Sequence, residues 1–142
     1  MVSLELSAEI RWSLLCWRAR SVGHHPNGTE RLRRYFASLA TNLAAQNYER
    51  GCLVGNFSTE LADQSRPIRD RLASTFAAWS RPIEACIRDA QKAGEISRDG
   101  EPRALAEFLL NSFEGAMLRM KVEKDGSPLD HFITVIFSRV LT

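Results

Sequence analysis

Residues 65–94, SRPIRDRLASTFAAWSRPIEACIRDAQKAG, decide the fold. Ile68, Leu72, Phe76, Trp79, Ile83, Ile87 and Ala90 recur at intervals of three or four, the spacing that stacks side chains along one face of an α-helix. Ser65 supplies an N-cap hydroxyl, Pro67 fits a first turn where its missing N–H costs nothing, and Gly94 closes the pattern. One long amphipathic helix is predicted. Pro82 interrupts it: a proline in a helix interior removes a donor and crowds the carbonyl four residues earlier, so a kink around Ala78, or a split into two helices, is expected there.

The same punctuation continues in both directions. Upstream, Glu30 to Asn47 places Leu32, Tyr35 or Phe36, Leu39 and Leu43 on one stripe, with Thr29 as the expected N-cap. Between these helices lies Gly51-Cys52-Leu53-Val54-Gly55-Asn56-Phe57-Ser58, a glycine-flanked apolar passage leading into a brief helix through Leu61 and Ala62. Downstream of a turn at Ser97 to Gly100, Pro102 opens a helix carrying Leu105, Phe108, Leu109, Ser112, Phe113, Ala116, Met117 and Met120, ending near Lys124. Ser127 and Pro128 then start a last helix with Leu129, Phe132, Ile133, Ile136, Phe137, Val140 and Leu141. Period-two alternation is absent, and the fold class is all-α, a helical bundle.

Both C-terminal helices are apolar over more than the single stripe that one neighbour would cover, which calls for a second partner. Gly115 and Ala116 permit a close crossing, and two copies of an antiparallel pair make a two-fold four-helix bundle. The interface positions predicted on that basis are Phe108, Ser112, Gly115, Ala116 and Arg119, with Phe132, Ile133, Ile136, Phe137 and Val140. Burial of both faces within one subunit is the alternative.

At 142 residues and 44% hydrophobic content the chain suits one domain with a sizeable core. Its 19 basic and 17 acidic residues are interspersed and leave a net charge of +2, too small a field to argue for nucleic acid or membrane. Cys16, Cys52 and Cys86 are odd in number and far apart, which excludes a disulfide framework and a zinc site, and a cytoplasmic location fits best. Ile10 to Trp17 is broken by Arg11 and Ser13, and neither a signal peptide nor a membrane span is read.

Four ordered pieces, Glu30-Arg31-Leu32-Arg33-Arg34-Tyr35-Phe36, Gly51-Cys52-Leu53-Val54-Gly55-Asn56, Glu60-Leu61-Ala62-Asp63 and Ala93-Gly94-Glu95-Ile96, together resemble the TetR family of transcriptional regulators. Within it they look like the subgroup containing repressors of acrylate and N-ethylmaleimide metabolism. The resemblance covers about Thr29 to Leu141. It implies a helical effector pocket walled by the central helices, a homodimer built on the last two long helices, and an N-terminal helix-turn-helix for the operator. Residues 1–28 contain no such reader, which needs a second helix presenting base-contacting side chains. The division expected is therefore an atypical segment 1–28 and an effector-binding and dimerisation domain 29–142, with DNA reached only through a helix-turn-helix absent from this chain. Truncation, a wrong start or a shifted reading frame is the expected origin of segment 1–28; a genuine short helix packed on the domain is the alternative.

Cys52 is the candidate for electrophile or redox sensing, since a thiol in a glycine-flanked turn beside a pocket is alkylated or oxidised if its thiolate is stabilised and exposed. A small buried side chain in a tight turn is the competing reading. Asn56, Phe57, Phe76, Trp79, Phe108, Asn111 and Ser112 are the candidate ligand-binding residues, apolar walls with a few polar groups on neighbouring helices. His24 and His25 are adjacent, a spacing that does not put two rings on one helical face, so no metal is assigned. Cofactors and catalytic residues are likewise assigned as none: there is no glycine-rich phosphate loop, HExxH or GxSxG. The reading is a homodimeric regulatory domain for a small reactive or acidic metabolite. The alternative is a structural interaction protein that heterodimerises with an intact regulator.

Overall fold

A computed structural model describes residues 26–142. These residues form five α-helices: α1 (Gly28–Ala45), α2 (Leu53–Leu61), α3 (Arg66–Lys92), α4 (Pro102–Glu123) and α5 (Ser127–Val135), the last running into a π-helical turn over Ile136–Val140. No strand occurs among the described residues. The expectations that concern residues 1–25, including Cys16 and the His24-His25 pair, lie outside them.

Each helix start has an identifiable cause. Asn27, not the expected Thr29, caps α1: its Oδ1 accepts from Glu30 N at 2.8 Å. Thr29 is engaged elsewhere, giving its backbone N–H and its hydroxyl to Glu95 Oε2, each at 3.0 Å. Ser65 caps α3 as its position predicted. Glu101 caps α4 with both carboxylate oxygens, accepting from Arg103 N at 3.0 Å and Ala104 N at 2.7 Å. The position preceding α5 is Gly126, which offers no side chain; Ser127 is the first helical residue and its hydroxyl donates to Asp125.

Helix α3 is continuous through Pro82, so the expected split does not occur. The ring leaves the Ala78 carbonyl without its intrahelical donor, a local loss. Against it stands the burial of the whole following stretch, where Ile83, Cys86, Ile87 and Ala90 lie in the core. Packing of that face holds the two halves in one helix.

The core is centred on three rings. Phe36 of α1, Phe113 of α4 and Phe132 of α5 meet pairwise at centroid separations of 5.1, 4.9 and 5.1 Å, two of the three pairs edge-on. Leu32, Ile83, Ile87, Leu109, Met120 and Leu129 close around them, so α1 and α3 cover one side of the α4–α5 hairpin. At the start of α1 a Cβ on Gly28 would lie 2.5 Å from the Cys86 carbonyl oxygen and 3.0 Å from Ala90 N, so the approach of α1 to α3 depends on glycine there. Arg31 NH2 donates to Asp89 Oδ2 at 2.7 Å and ties the same two helices. At the other terminus Leu141 is buried, Ser97 N donates to the Thr142 carbonyl at 2.9 Å, and the Arg33 guanidinium lies 4.5 Å from the Phe137 ring centroid.

Candidate functional site

Two regions draw the sequence-predicted residues together: the turn that starts α2, and the surface of the α4–α5 hairpin. In the turn, Cys52 occupies the N-cap of α2 and its Sγ accepts from Gly55 N at 3.3 Å, which places a sulfur where an oxygen is commoner. The thiol hydrogen bonds to Glu114, reaching across from α4. Gly55 makes room for that carboxylate: a Cβ at this position would stand 2.7 Å from Glu114 Oε2. Gly51 is similarly crossed, with Lys121 Cδ at 3.5 Å and Asn56 Oδ1 at 3.9 Å from a Cβ placed there.

The electrostatics of the turn favour protonated forms. Burial pushes the Cys52 thiol well up, and the negative Glu114 beside it adds to the shift. Burial also raises the Glu114 carboxyl, with the Cys52 hydrogen bond pulling partly the other way. A reactive cysteine needs the opposite environment, one that lowers the thiol and exposes it. As placed, Cys52 acts as a helix cap. Cys86 is core, its thiol pushed up to about 11, again chiefly by burial.

The aromatic candidates are only partly gathered. Phe76 and Trp79 stand perpendicular at 6.0 Å between centroids, half-buried one turn apart on α3. Trp79 Nε1 is buried without a hydrogen-bond partner. Asn56, Phe57 and Ser112 are half-buried, whereas Asn111 is exposed and Phe108 is 50% exposed on the outer side of α4. The seven residues therefore do not form one lining: Phe108 and Asn111 belong to the outer face.

That outer face is the second region. Residues Ala106, Leu109, Leu110, Phe113, Met117 and Met120 of α4 point into the core, while Phe108, Leu118 and Val122 on its other side are 50%, 60% and 78% exposed. Val135 of α5 is 52% exposed. Gly115 sits in the middle of this outer face with open space around its Cα. Of the positions predicted for an interface, Phe108, Gly115 and Arg119 are at the surface, Arg119 paired with Glu123 at 2.5 Å. Ser112, Ala116, Ile133 and Val140 are half-buried, and Phe132, Ile136 and Phe137 are interior to the protomer. The last three lie in the protomer core together with Phe36 and Phe113. Leu118 and Val122 of α4 and Val135 of α5 are also at the surface and were not among the predicted positions. The signal for the first two is a second apolar stripe on α4, on the side away from the core.

The domain is all-helical among the described residues, with a C-terminal hairpin that carries exposed apolar side chains on its outer side. Residues 28–136 match the family described as tetracyclin repressor-like, C-terminal domain, and the chain belongs to that family of transcriptional regulators. It is 45% identical over 111 residues to the HTH-type transcriptional repressor DhaR of Mycobacterium sp. (strain GP1), a match covering 78% of this chain and 54% of that protein. The transcriptional regulator AcuR of Cereibacter sphaeroides is 38% identical over 109 residues, 77% of this chain and 49% of that one. The chain thus spans about half the length of these curated relatives. Its fold superimposes on the crystal structure of regulatory protein TetR from Rhodobacter sphaeroides with a TM-score of 0.81 and 32% identity, over 96% of this chain and 69% of that one. No helix among the described residues is long and apolar enough to cross a membrane.

Proposed function

We propose that this chain is the effector-sensing and homodimerising part of a TetR-family transcriptional regulator. The observation that carries the reading is the doubled apolar character of α4, one face in the core and the other presenting Phe108, Leu118 and Val122 to solvent. Such a patch on a small domain marks a protein contact. A second copy supplies the matching helix pair and converts two hairpins into a four-helix bundle. Sensing is supported by the unpartnered Trp79 Nε1 and the half-buried Asn56, donors available to an acceptor on a small metabolite. In this reading an effector binds between α2 and α3, and Cys52 and Glu114 position α2 rather than react.

The dimer is tested by analytical ultracentrifugation of the parent and of Leu118→Glu. The parent is expected at twice its 16.0 kDa chain mass and the variant at a single chain mass with unchanged far-ultraviolet circular dichroism. A parent that remains a monomer at micromolar concentration overturns the reading. An effector located crystallographically away from Trp79 and Asn56 overturns the placement of the sensing site.

A further inference from the structure

Asn27-Gly28 is the one place in the chain where glycine follows an asparagine; Asn42, Asn47, Asn56 and Asn111 precede Leu, Tyr, Phe and Ser. Each member of the pair is there for a separate structural reason. Asn27 caps α1, its Oδ1 accepting from Glu30 N at 2.8 Å. Gly28 lies where a Cβ would stand 2.5 Å from the Cys86 carbonyl oxygen, so the seat between α1 and α3 asks for glycine. Together they make a chemically labile pair. Asparagine is thermolabile because the next backbone nitrogen can attack its side-chain amide, and a following glycine, with no side chain to crowd the approach, makes that attack easiest.

We propose that Asn27 is a self-modification site, deamidated through a succinimide with Gly28 when the start of α1 opens, and that Glu95 is the clamp that keeps it shut. In the reaction Gly28 N gives up its proton and attacks Asn27 Cγ. The bond from Cγ to the amide nitrogen breaks, ammonia leaves with that proton, and a five-membered ring joins side chain to backbone. Water then opens the ring at either carbonyl, leaving aspartate or isoaspartate. The folded geometry forbids the first step. Asn27 has φ −89° and ψ 121°, an extended backbone that holds Gly28 N away from the side chain, and ring closure requires turning ψ until the nitrogen comes round to Cγ. Several bonds oppose that rotation: Gly28 N donates to Glu95 Oε1 at 3.3 Å, and Thr29 gives its N–H and hydroxyl to Oε2 at 3.0 Å each. The cap bond from Glu30 N would be lost as well. The reaction therefore waits on local opening.

The surroundings supply the water and decide what the product does. Asn27, Thr29, Glu30, Arg33 and Glu95 line a surface cleft, so solvent reaches the ring once it forms. An aspartate caps a helix as well as an asparagine does, but here it adds a third carboxylate to a cleft that already holds Glu30 and Glu95, and the repulsion weakens the clamp. Isoaspartate carries the backbone through Cβ, one methylene longer, so the cap and the seat of Gly28 beside Cys86 cannot both be kept. With ammonia gone, neither product reverts. An opening of α1 long enough for ring closure is thereby recorded in the chain.

Peptide mass spectrometry of the full chain, incubated at mildly alkaline pH, tests the proposal, with isoaspartate separated by its elution. Asn27 is expected to convert at least about tenfold more slowly in the folded parent than in urea. Glu95→Ala should speed the folded-state conversion about 5- to 30-fold, the factor by which losing such hydrogen bonds raises the open fraction. Thr29→Val removes a single bond to Glu95, should give a smaller rise, and decides the matter if Glu95→Ala does not fold. A folded variant that converts no faster overturns the clamp, and one that converts more slowly makes Glu95 the base for Gly28 N instead. Conversion of Asn27 in urea no faster than that of Asn56 overturns the site itself. The deamidated chain, isolated by its added charge, should exchange the Gly28 and Thr29 amides faster than the unmodified chain; equal protection overturns the loosening.

Discussion

Gly28→Ala is the most discriminating single change in the protomer, because its cost follows from distances rather than from residue type. The added methyl would stand 2.5 Å from the Cys86 carbonyl oxygen and 3.0 Å from Ala90 N, both backbone atoms of α3. Neither retreats by rotating a bond. Relief requires α1 and α3 to separate by several tenths of an ångström along the seam where Leu32 and Phe36 are buried. Overpacking against a rigid neighbour costs roughly 1–3 kcal/mol, while removing a helical glycine returns at most about 0.5–1 kcal/mol, less at the first position of a helix. A net loss of about 1–2 kcal/mol is expected, a fall in melting temperature of roughly 3–7 °C for a domain of this size. Gly115→Ala is the control in the same chain: nothing lies within 4 Å of its Cβ direction, so the protomer gains about 0.5–1 kcal/mol from helix propensity. Urea denaturation of both variants in a Leu118→Glu background, which removes the contribution of association, gives the comparison. If Gly28→Ala matches or exceeds the parent in stability, the argument from close approach is wrong.

Three further outcomes are expected. Cys52 in the folded protein should react with N-ethylmaleimide at least tenfold more slowly than after denaturation, and Glu114→Gln, by removing the adjacent negative charge, should speed the reaction; mass spectrometry of the Cys52 peptide reads both. Because the folded-state Glu114 carboxyl is raised above its ordinary value of 4.5, its contribution is fully present below that pH and is lost as pH rises through the raised value. Urea midpoints should therefore fall across that window in the parent, and Glu114→Gln should flatten this part of the profile. Glu95→Ala leaves Gly28 N, Thr29 N and the Thr29 hydroxyl without their acceptor, and should cost about 1–2 kcal/mol, seen first as faster amide exchange at the start of α1.

The helices were readable because their ends are written in residue chemistry. Ser65 with Pro67 and the turn before Pro102 located α3 and α4 to within a few residues. Thr29 misled because a second acceptor, Glu95, is distant in sequence and takes its donors, an event no local pattern records. At Pro82 local chemistry left a kink and a split both open, and the burial of Ile83 and Ile87 goes with a helix that does not split. The hairpin shows the limit most clearly. Periodicity revealed that both helices have too much apolar surface for one neighbour, yet it does not say which stripe faces the core. Phe132 and Leu118 are equally apolar in the sequence; the ring contacts of Phe132 with Phe36 and Phe113 are what separate them. Cys52 was found from its flanking glycines, whereas Glu114, the residue that sets its chemistry, lies sixty-two positions away and carried no signal at all.

The ring cluster has a consequence for how such a molecule is controlled. Phe36 touches Phe113 and Phe132 at once, so α1 meshes with both helices of the hairpin like a pinion between two racks. Any change in the tilt of α1 must displace α4, α5 or both, and these are the helices that carry the proposed dimer face. In that proposed dimer the posture of α1 and the affinity between subunits are linked functions, each shifting the other by the same free energy. Dilution alone, by separating subunits, becomes a means of reading the posture of α1.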